Sequence, residues 1–250
     1  MAITYVVANQ KGGIGKTTTA TALAGILSKQ YKTLLIDADP QGNSTSTYQA
    51  VIEDTATLYD VMVDSDKVPI HEAIQHTENG DIVASDPLLA KAEKMLDGDI
   101  EGLYRLKDAI EEIDDYDYIV IDTAPSLSVV LYNCLIAADS VIIPVTADAY
   151  SIQGLQQLHH TIQAVQKRQN PRLSIAGLLL VRYQGRSKLE KKVKDDLEGI
   201  AAEMNTKLFN TKIRECIKTK EAQTAKKLLI DYAPMCNTIL DYQAFVAELK

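Results

Sequence analysis

Short apolar runs alternate along the chain with longer stretches in which apolar residues recur every three or four positions. The runs are rich in Ile, Val and Leu, which is typical of strands buried on both faces of a parallel sheet. We predict strands at Ile3–Ala8, Thr33–Asp37, Asp81–Ser85, Tyr118–Asp122, Ser140–Val145, Leu173–Val181 and Leu208–Ile213. Helices are predicted at Thr17–Lys29, Pro87–Leu96, Glu101–Ile113, Ile152–Arg168 and Ser187–Met204, and a terminal helix ends with Ala244–Leu249.

This alternation predicts an α/β fold with a mostly parallel central sheet and helices on both faces. The segment Thr45–Gly80 is the least periodic part of the chain, and we expect it to form surface helices and loops. No internal repeat, linker or low-complexity segment is visible. We therefore interpret residues 1–250 as a single domain.

The composition agrees with an aliphatic core and a reducing environment. Apolar residues make up 46% of the 250 residues, Trp is absent and Phe occurs twice. The three cysteines, Cys134, Cys216 and Cys236, form no closely spaced pair, which favours the cytosol over a disulfide framework. The N-terminus has no basic signal sequence, and no apolar run approaches the roughly 18 residues that cross a bilayer. The sequence therefore predicts a cytoplasmic protein.

The formal net charge of −8 is unevenly distributed. Residues 182–227 carry more basic than acidic side chains, so the rest of the chain is strongly acidic. This distribution is not typical of a general nucleic-acid binder. One basic segment can still bind a local anionic surface such as a DNA backbone.

The first predicted strand leads into Asn9–Thr18, N-Q-K-G-G-I-G-K-T-T, which is similar to a phosphate-binding loop. Gln10 stands where the pattern G-x-x-x-x-G-K-[ST] has its first glycine. Glycines let backbone N–H groups approach a phosphate, the lysine reaches the β- and γ-phosphates, and the threonine hydroxyl ligates Mg²⁺. We expect ATP contacts from Lys11, Gly12, Gly13, Ile14, Gly15, Lys16, Thr17 and Thr18, with Thr17 also a ligand of Mg²⁺.

Carboxylates stand at the ends of two other predicted strands. Asp37 and Asp39 end the second strand, and Asp122 ends an apolar run in the manner of a Walker B strand, whose carboxylate holds Mg²⁺. Open α/β sheets bind ligands at the carboxyl ends of their strands, so these acids are expected beside the phosphate loop. A purely structural role stays open for Asp37.

The segment Lys11–Thr17 matches every specified position of K-G-G-x-G-K-[ST], and on these residues the chain resembles the deviant Walker A ATPases. The resemblance implies that two subunits enclose two ATP molecules, with Lys16 on its own ATP and Lys11 on the partner's. It also implies that Asp39 orients the attacking water and that Asp122 holds Mg²⁺. A second cation would stabilise charge at the transferred phosphoryl group. The predicted catalytic residues are therefore Lys11, Lys16 and Asp39.

Longer motifs resemble the ParA and Soj proteins, the partition branch of this group. They are N-Q-K-G-G-I-G-K-T-T-T-A, D-A-D-P-Q-G-N-S-T and V-I-I-P-V-T-A-D-A-Y-S-I-Q-G-L. The resemblance implies a nucleoid-associated ATPase that forms a homodimer on ATP, binds DNA non-specifically and partitions plasmids or chromosomes. Its hydrolysis would be stimulated by a centromere-binding partner similar to ParB. Because the signature begins at Lys11, no N-terminal helix-turn-helix domain is expected.

The same resemblance suggests DNA and adenine contacts. The motif R-S-K-L at residues 186–189 matches the family's Arg-x-x-Leu DNA contact. Arg186 is therefore the leading DNA-binding candidate, and Lys188 and Lys191 are expected to add phosphate contacts. Soj-like members read I-P-R-N after the last strand, where this chain reads I-R-E-C. Arg214 and Cys216 at this place are the expected further ATP contacts.

Two other hypotheses remain open. A membrane-positioning ATPase similar to MinD ends in a basic amphipathic helix, whereas Asp241–Lys250 contains two acids and one lysine. We therefore expect the C-terminal helix to pack on the domain and no membrane to be a partner. The second hypothesis is an ATP-dependent scaffold without catalysis.

Overall fold

The computed structural model describes residues 2–63, 68–96, 101–148, 150–184 and 188–249, except the side chains of residues 93, 150–153 and 188–192. The strands are β1 (Ile3–Val7), β2 (Thr33–Ala38), β3 (Ile74–Thr77), β4 (Gly80–Val83), β5 (Tyr118–Thr123), β6 (Ser140–Val145), β7 (Ser174–Tyr183) and β8 (Leu208–Arg214). The helices are α1 (Lys16–Leu27), α2 (Asn43–Tyr48), α3 (Leu58–Val63), α4 (Ile70–Ala73), α5 (Leu89–Met95), α6 (Arg105–Glu111), α7 (Val129–Ala137), α8 (Tyr150–Arg168), α9 (Lys188–Glu203), α10 (Ile217–Thr224), α11 (Leu229–Tyr232) and α12 (Asn237–Leu249).

In the described residues, these strands form an eight-stranded sheet in the order β3-β4-β2-β5-β1-β6-β7-β8. All neighbouring strands are parallel except β3 and β4. The prediction of an α/β fold with a mostly parallel sheet is confirmed. Parallel strands run in the same direction. The carboxyl ends of these strands therefore lie along the same side of the sheet: β1, β2, β5, β6, β7 and β8.

Helices cover both faces of the sheet, and the end of β1 shows why a buried strand is mostly apolar. Val6 and Ala8 belong to the apolar cluster on one face, and Tyr5 and Val7 to the cluster on the other. Successive side chains of a strand point to opposite faces, so both sets need apolar partners. Helices α7 and α8 contribute to the first cluster, and α1 and α12 to the second.

The segment Thr45–Gly80 differs from its prediction as surface helices and loops. Leu58, Val61 and Met62 of α3 are fully buried in the core. The segment also contains β3, which we did not predict because its sequence, I-Q-H-T, has one apolar residue and no alternation. Antiparallel pairing with β4 at the edge of the sheet makes this short polar segment a strand.

The C-terminal helix α12 packs on the domain, as expected. Ile239, Tyr242 and Phe245 are buried in the core, and the Tyr242 hydroxyl forms a 2.9 Å hydrogen bond with the hydroxyl of Thr19 in α1. Across the parts of the chain that the structure describes, none of the helices is both long and apolar enough to cross a bilayer.

Candidate nucleotide-binding site

The strand register brings the phosphate loop and the predicted carboxylates together. Asp122 of β5 pairs with Val7 at the end of β1 and with Asp37 of β2. A cavity of about 660 Å³ opens at this edge. Its wall includes Gly12, Gly13, Ile14, Gly15, Lys16, Thr17, Thr18, Asp39, Gln41, Arg182, Arg214, Cys216, Thr219 and Gln223. Every predicted ATP contact except Lys11 is part of this wall.

The phosphate loop connects β1 to the first turn of α1. Gly13 (φ 71°) and Gly15 (φ 95°) have left-handed conformations, which glycine adopts without steric cost. A Cβ atom at either position would meet no atom of the described residues within 4 Å, so there is open space beside the loop for a phosphate group. Because the N-cap residue of α1 is Gly15, no side chain caps the first turn, and its N–H groups suit an anion.

Lys16 is a buried cation at the floor of this loop. Lys16 is 7% exposed, and its Nζ donates a 3.2 Å hydrogen bond to the backbone carbonyl of Lys11. Burial lowers the pKa of Lys16, while the carboxylates of Asp122 and Asp39 oppose this change. An anionic ligand would restore the hydrogen bonds and charge stabilisation that the ammonium group loses when it is removed from water.

Asp122 and Asp37 are fully buried neighbours with different surroundings. Burial and the adjacent Asp37 carboxylate raise the pKa of Asp122, whose Oδ2 accepts a 2.8 Å hydrogen bond from Ser44. Its buried Oδ1 has no hydrogen-bond partner among the described residues. An unpaired, buried carboxylate oxygen is a suitable ligand for Mg²⁺, a cation that prefers oxygen ligands. The donor set of Asp122 and Thr17 is therefore suitable for Mg²⁺.

Asp37 instead binds the backbone of the loop that follows β2. Its Oδ2 accepts hydrogen bonds from the backbone N–H and the hydroxyl of Thr45, at 2.7 and 2.8 Å. Its Oδ1 accepts a 3.2 Å bond from the N–H of Asp39. Burial raises the pKa of Asp37, and the bonds from Thr45 oppose this change. These contacts hold the loop after β2 in place.

Asp39 lies on the cavity wall and is 7% exposed. Its Oδ1 accepts a 3.0 Å hydrogen bond from the N–H of Gln41, and its carbonyl accepts one of 2.7 Å from the hydroxyl of Ser85. The loop therefore presents a fixed carboxylate to the cavity. A role in orienting water stays a prediction.

Lys11 contacts a carboxylate of its own chain. Its Nζ lies 2.6 and 2.7 Å from the two carboxylate oxygens of Asp148, and 3.5 Å from the hydroxyl of Thr146. Its backbone N–H donates a 3.0 Å hydrogen bond to the Asn9 side chain, which in turn donates to the carbonyl of Pro144. The predicted contact of Lys11 with a partner's ATP stays a prediction.

The wall of the cavity near α10 contains residues that sequence reasoning did not identify. Gln223 donates a 3.2 Å hydrogen bond to the hydroxyl of Thr18, and the buried hydroxyl oxygen of Thr219 has no partner among the described residues. Arg214 is paired with Asp241, at 2.6 and 2.8 Å, so its charge is already balanced. Contacts of Arg214 and Cys216 with ATP stay predictions. No motif spacing in the sequence connects Thr219 or Gln223 to the loop.

The predicted DNA contacts stay untested. Arg186 lies outside the described residues, and the side chains of Lys188 and Lys191 at the start of α9 are not described. Further along α9, Val193 and Leu197 are buried. This helix therefore packs on the domain through its apolar side.

A glycine-rich loop that opens a helix, a buried lysine, and a carboxylate at the end of the neighbouring strand define a P-loop nucleoside triphosphatase. A family model described as "AAA domain" matches residues 2–175. The chain is 39% identical over 232 residues to the sporulation initiation inhibitor protein Soj of Bacillus subtilis, covering 91% of this chain and 90% of that protein. It is 36% identical to the chromosome partitioning protein ParA of Myxococcus xanthus, covering 97% and 86%.

A solved structure is similar over almost the whole chain. Cobyrinic acid a,c-diamide synthase of Mycobacterium smegmatis, with a bound ATP analogue and magnesium, has a TM-score of 0.84 and 28% identity, covering 99% of this chain and 93% of that one. A shared fold does not transfer that enzyme's reaction. Together with the relatives, it shows that the chain belongs to the ParA/Soj family of P-loop ATPases.

Proposed function

We propose that the chain is an ATP-hydrolysing switch that partitions plasmid or chromosomal DNA. The observation that carries the proposal is a loop of open glycines with the buried ammonium group of Lys16, which the carboxylate of Asp122 influences electrostatically. One buried oxygen of that carboxylate has no partner among the described residues. These groups suit the phosphates and the cation of Mg²⁺–ATP. The ATP analogue and magnesium of the related synthase, and the partition role named for the Myxococcus relative, support the proposal.

In this proposal each residue has a defined task. Lys16 and the N–H groups of the loop bind the β- and γ-phosphates, Thr17 and Asp122 hold Mg²⁺, and Asp39 orients the attacking water. Bound Mg²⁺ neutralises charge that develops on the phosphates. Phosphate release from ATP, measured with and without DNA and a centromere-binding partner, tests the proposal. ATP binding without any release would favour the scaffold hypothesis.

Dimerisation on ATP requires Lys11 to change partners. In the structure its ammonium group is held by Asp148 of the same chain. Both side chains are about one-third exposed, at 34% and 38%, so this ion pair is weakened by water and stabilises little. The phosphates of a second subunit's ATP carry more charge and can take the ammonium group from Asp148.

The variant Lys11→Gln is expected to bind ATP as a single subunit within about twofold of wild type, but to weaken the ATP-dependent dimer by at least about tenfold. The reason is that the removed charge would meet phosphate across the subunit interface and not within the subunit. Sedimentation velocity with and without ATP measures the dimer, and fluorescence titration measures ATP binding.

Lys29→Gln is the matched control, because Lys29 is an exposed lysine that also pairs with a carboxylate, Asp231, at 2.8 Å. It should leave both measurements unchanged. A Lys11→Gln protein that dimerises on ATP like wild type would contradict the proposed interface role.

Non-specific DNA binding is assigned to the basic segment Arg186–Lys191 of the sequence. Arg186→Ala is expected to lower the affinity of the ATP-bound protein for DNA and to reduce the salt slope of log K by about 0.9 for each DNA phosphate that the protein no longer neutralises. ATP turnover without DNA should be retained. Fluorescence anisotropy with a labelled duplex at several salt concentrations provides the slope.

Arg172→Ala replaces an exposed arginine outside this segment and should not alter DNA binding. An unchanged affinity and slope in Arg186→Ala would remove Arg186 from the DNA surface. Sedimentation with lipid vesicles, run beside the DNA assay, tests the hypothesis of a MinD-like membrane ATPase. The apolar side of α12 is buried in the core, which disfavours lipid as its partner.

A further inference from the structure

Arg182 occupies a β-bulge at the end of β7. Leu180 lies opposite Lys212 and Tyr183 opposite Arg214, so the two intervening residues of β7 face one residue of β8. Arg182 has φ 55°, a left-handed conformation that is strained for a residue with a side chain. Bulges redirect side chains and are frequent beside active sites.

The redirected side chain joins two loops of the nucleotide cavity. Its Nη1 donates a 3.2 Å hydrogen bond to the carbonyl of Gly13 in the phosphate loop. Its Nη2 lies 3.2 Å from Oε1 of Glu215, in the connection between β8 and α10. Arg182, Gly13 and Glu215 all line the cavity. The guanidinium group therefore touches the loop that would hold phosphate.

The contact with Gly13 bears on phosphate binding through peptide geometry. The carbonyl of Gly13 and the N–H of Ile14 belong to one planar trans peptide group, so they point in opposite directions. Holding the carbonyl fixes the direction of the N–H. A cation at the carbonyl also polarises the peptide group and makes the N–H a stronger donor to an anion.

Fold stability does not account for this arginine. Its side chain is 51% exposed, so its ion pair with Glu215 adds little to stability, and its backbone conformation opposes folding. What the contact between Arg182 and Gly13 does instead is fix the position of the phosphate loop.

We propose that Arg182 is a positioning residue of the nucleotide site, which fixes the Gly13–Ile14 peptide group for phosphate binding and is itself oriented by Glu215. The inference rests on the ATP binding of the proposed function. A residue that only positions the phosphate loop contributes equally to binding ATP and to binding the transition state. Loss of the Arg182 side chain should therefore weaken ATP affinity more than it lowers the maximal rate.

The variant Arg182→Gly removes the side chain and keeps the left-handed backbone conformation. Glycine adopts the left-handed conformation without strain, so the midpoint of thermal unfolding without nucleotide should stay equal or rise. The affinity for ATP should nevertheless fall by about tenfold, because the N–H of Ile14 loses the contact that directs it toward a charged phosphate group. The rate at saturating ATP should change by less than about twofold. Calorimetric titration with Mg²⁺–ATP and a steady-state phosphate-release assay measure these values.

Lys226→Gly is the matched control, since Lys226 is also exposed and left-handed (φ 50°). It should show the same relief of strain with unchanged ATP affinity. Glu215→Gln should weaken ATP binding in the wild-type background and cause no further loss in Arg182→Gly. An additive loss would overturn the orienting role of Glu215.

Unchanged ATP affinity in Arg182→Gly would overturn the inference, and so would an equal loss in Lys226→Gly. If wild type itself failed to bind ATP, the proposed function would fail instead. The two failures are therefore distinguishable in one titration series.

Discussion

Replacing Lys16 with alanine is expected to lower the affinity for ATP by about 100-fold or more, because a lysine that binds two phosphates makes strong hydrogen bonds to charged groups. Lys16 is buried at the floor of the glycine loop, so no other described part of that loop offers an ammonium group at this place. Calorimetric titration with Mg²⁺–ATP measures the loss. The control Lys29→Ala removes an exposed lysine and should bind ATP like wild type.

The pH dependence of ATP binding provides an independent measure of the same residue. Burial lowers the pKa of Lys16, so its ammonium form is lost at a lower pH than that of an ordinary lysine. Wild-type affinity should therefore decline as pH rises through this lowered value, and Lys16→Ala should lack that decline. A Lys16→Ala protein with near-normal affinity would contradict the assignment of the phosphate site.

Replacing Asp39 with alanine is expected to reduce ATP turnover by about 100-fold or more, the usual contribution of a positioned base. ATP binding and the ATP-dependent dimer should remain, since the predicted task of Asp39 concerns water and not the phosphates. The experiment compares phosphate release with sedimentation velocity in the same samples. DNA binding with ATP should also be retained, because the protein would stay in its ATP state.

Asp39→Asn is the informative companion variant. An amide oxygen can still accept the hydrogen bond from the N–H of Gln41, so the loop is preserved while the negative charge is removed. Equal loss of turnover in both variants assigns the effect to the charge. Normal hydrolysis in Asp39→Ala would refute the catalytic role, and loss of the dimer in both variants would indicate a structural one.

Much of the fold was predictable because its signals are local. The apolar run at β6, Ser140–Val145, matches its predicted bounds, and β1, β2 and β5 differ by one residue. A parallel strand that is buried on both faces needs an unbroken apolar run, which is visible without any partner. By contrast, β3 has no such run and exists through its pairing with β4.

The sequence by itself determined the phosphate loop, because Asn9–Thr18 is one continuous segment whose glycines act on their own backbone. It also indicated that Asp37 and Asp122 lie near the carboxyl ends of their strands, where the structure has them one residue before the last. The tertiary structure alone decided that Asp122 keeps a buried oxygen without a partner in the described parts of the chain. It also decided that Lys11 meets Asp148, 137 positions away, and that Arg182 reaches Gly13 across 169 positions. The physical reason is that such contacts depend on strand order, register and a bulge, which arise when distant segments pack together and leave no periodic signal in the chain.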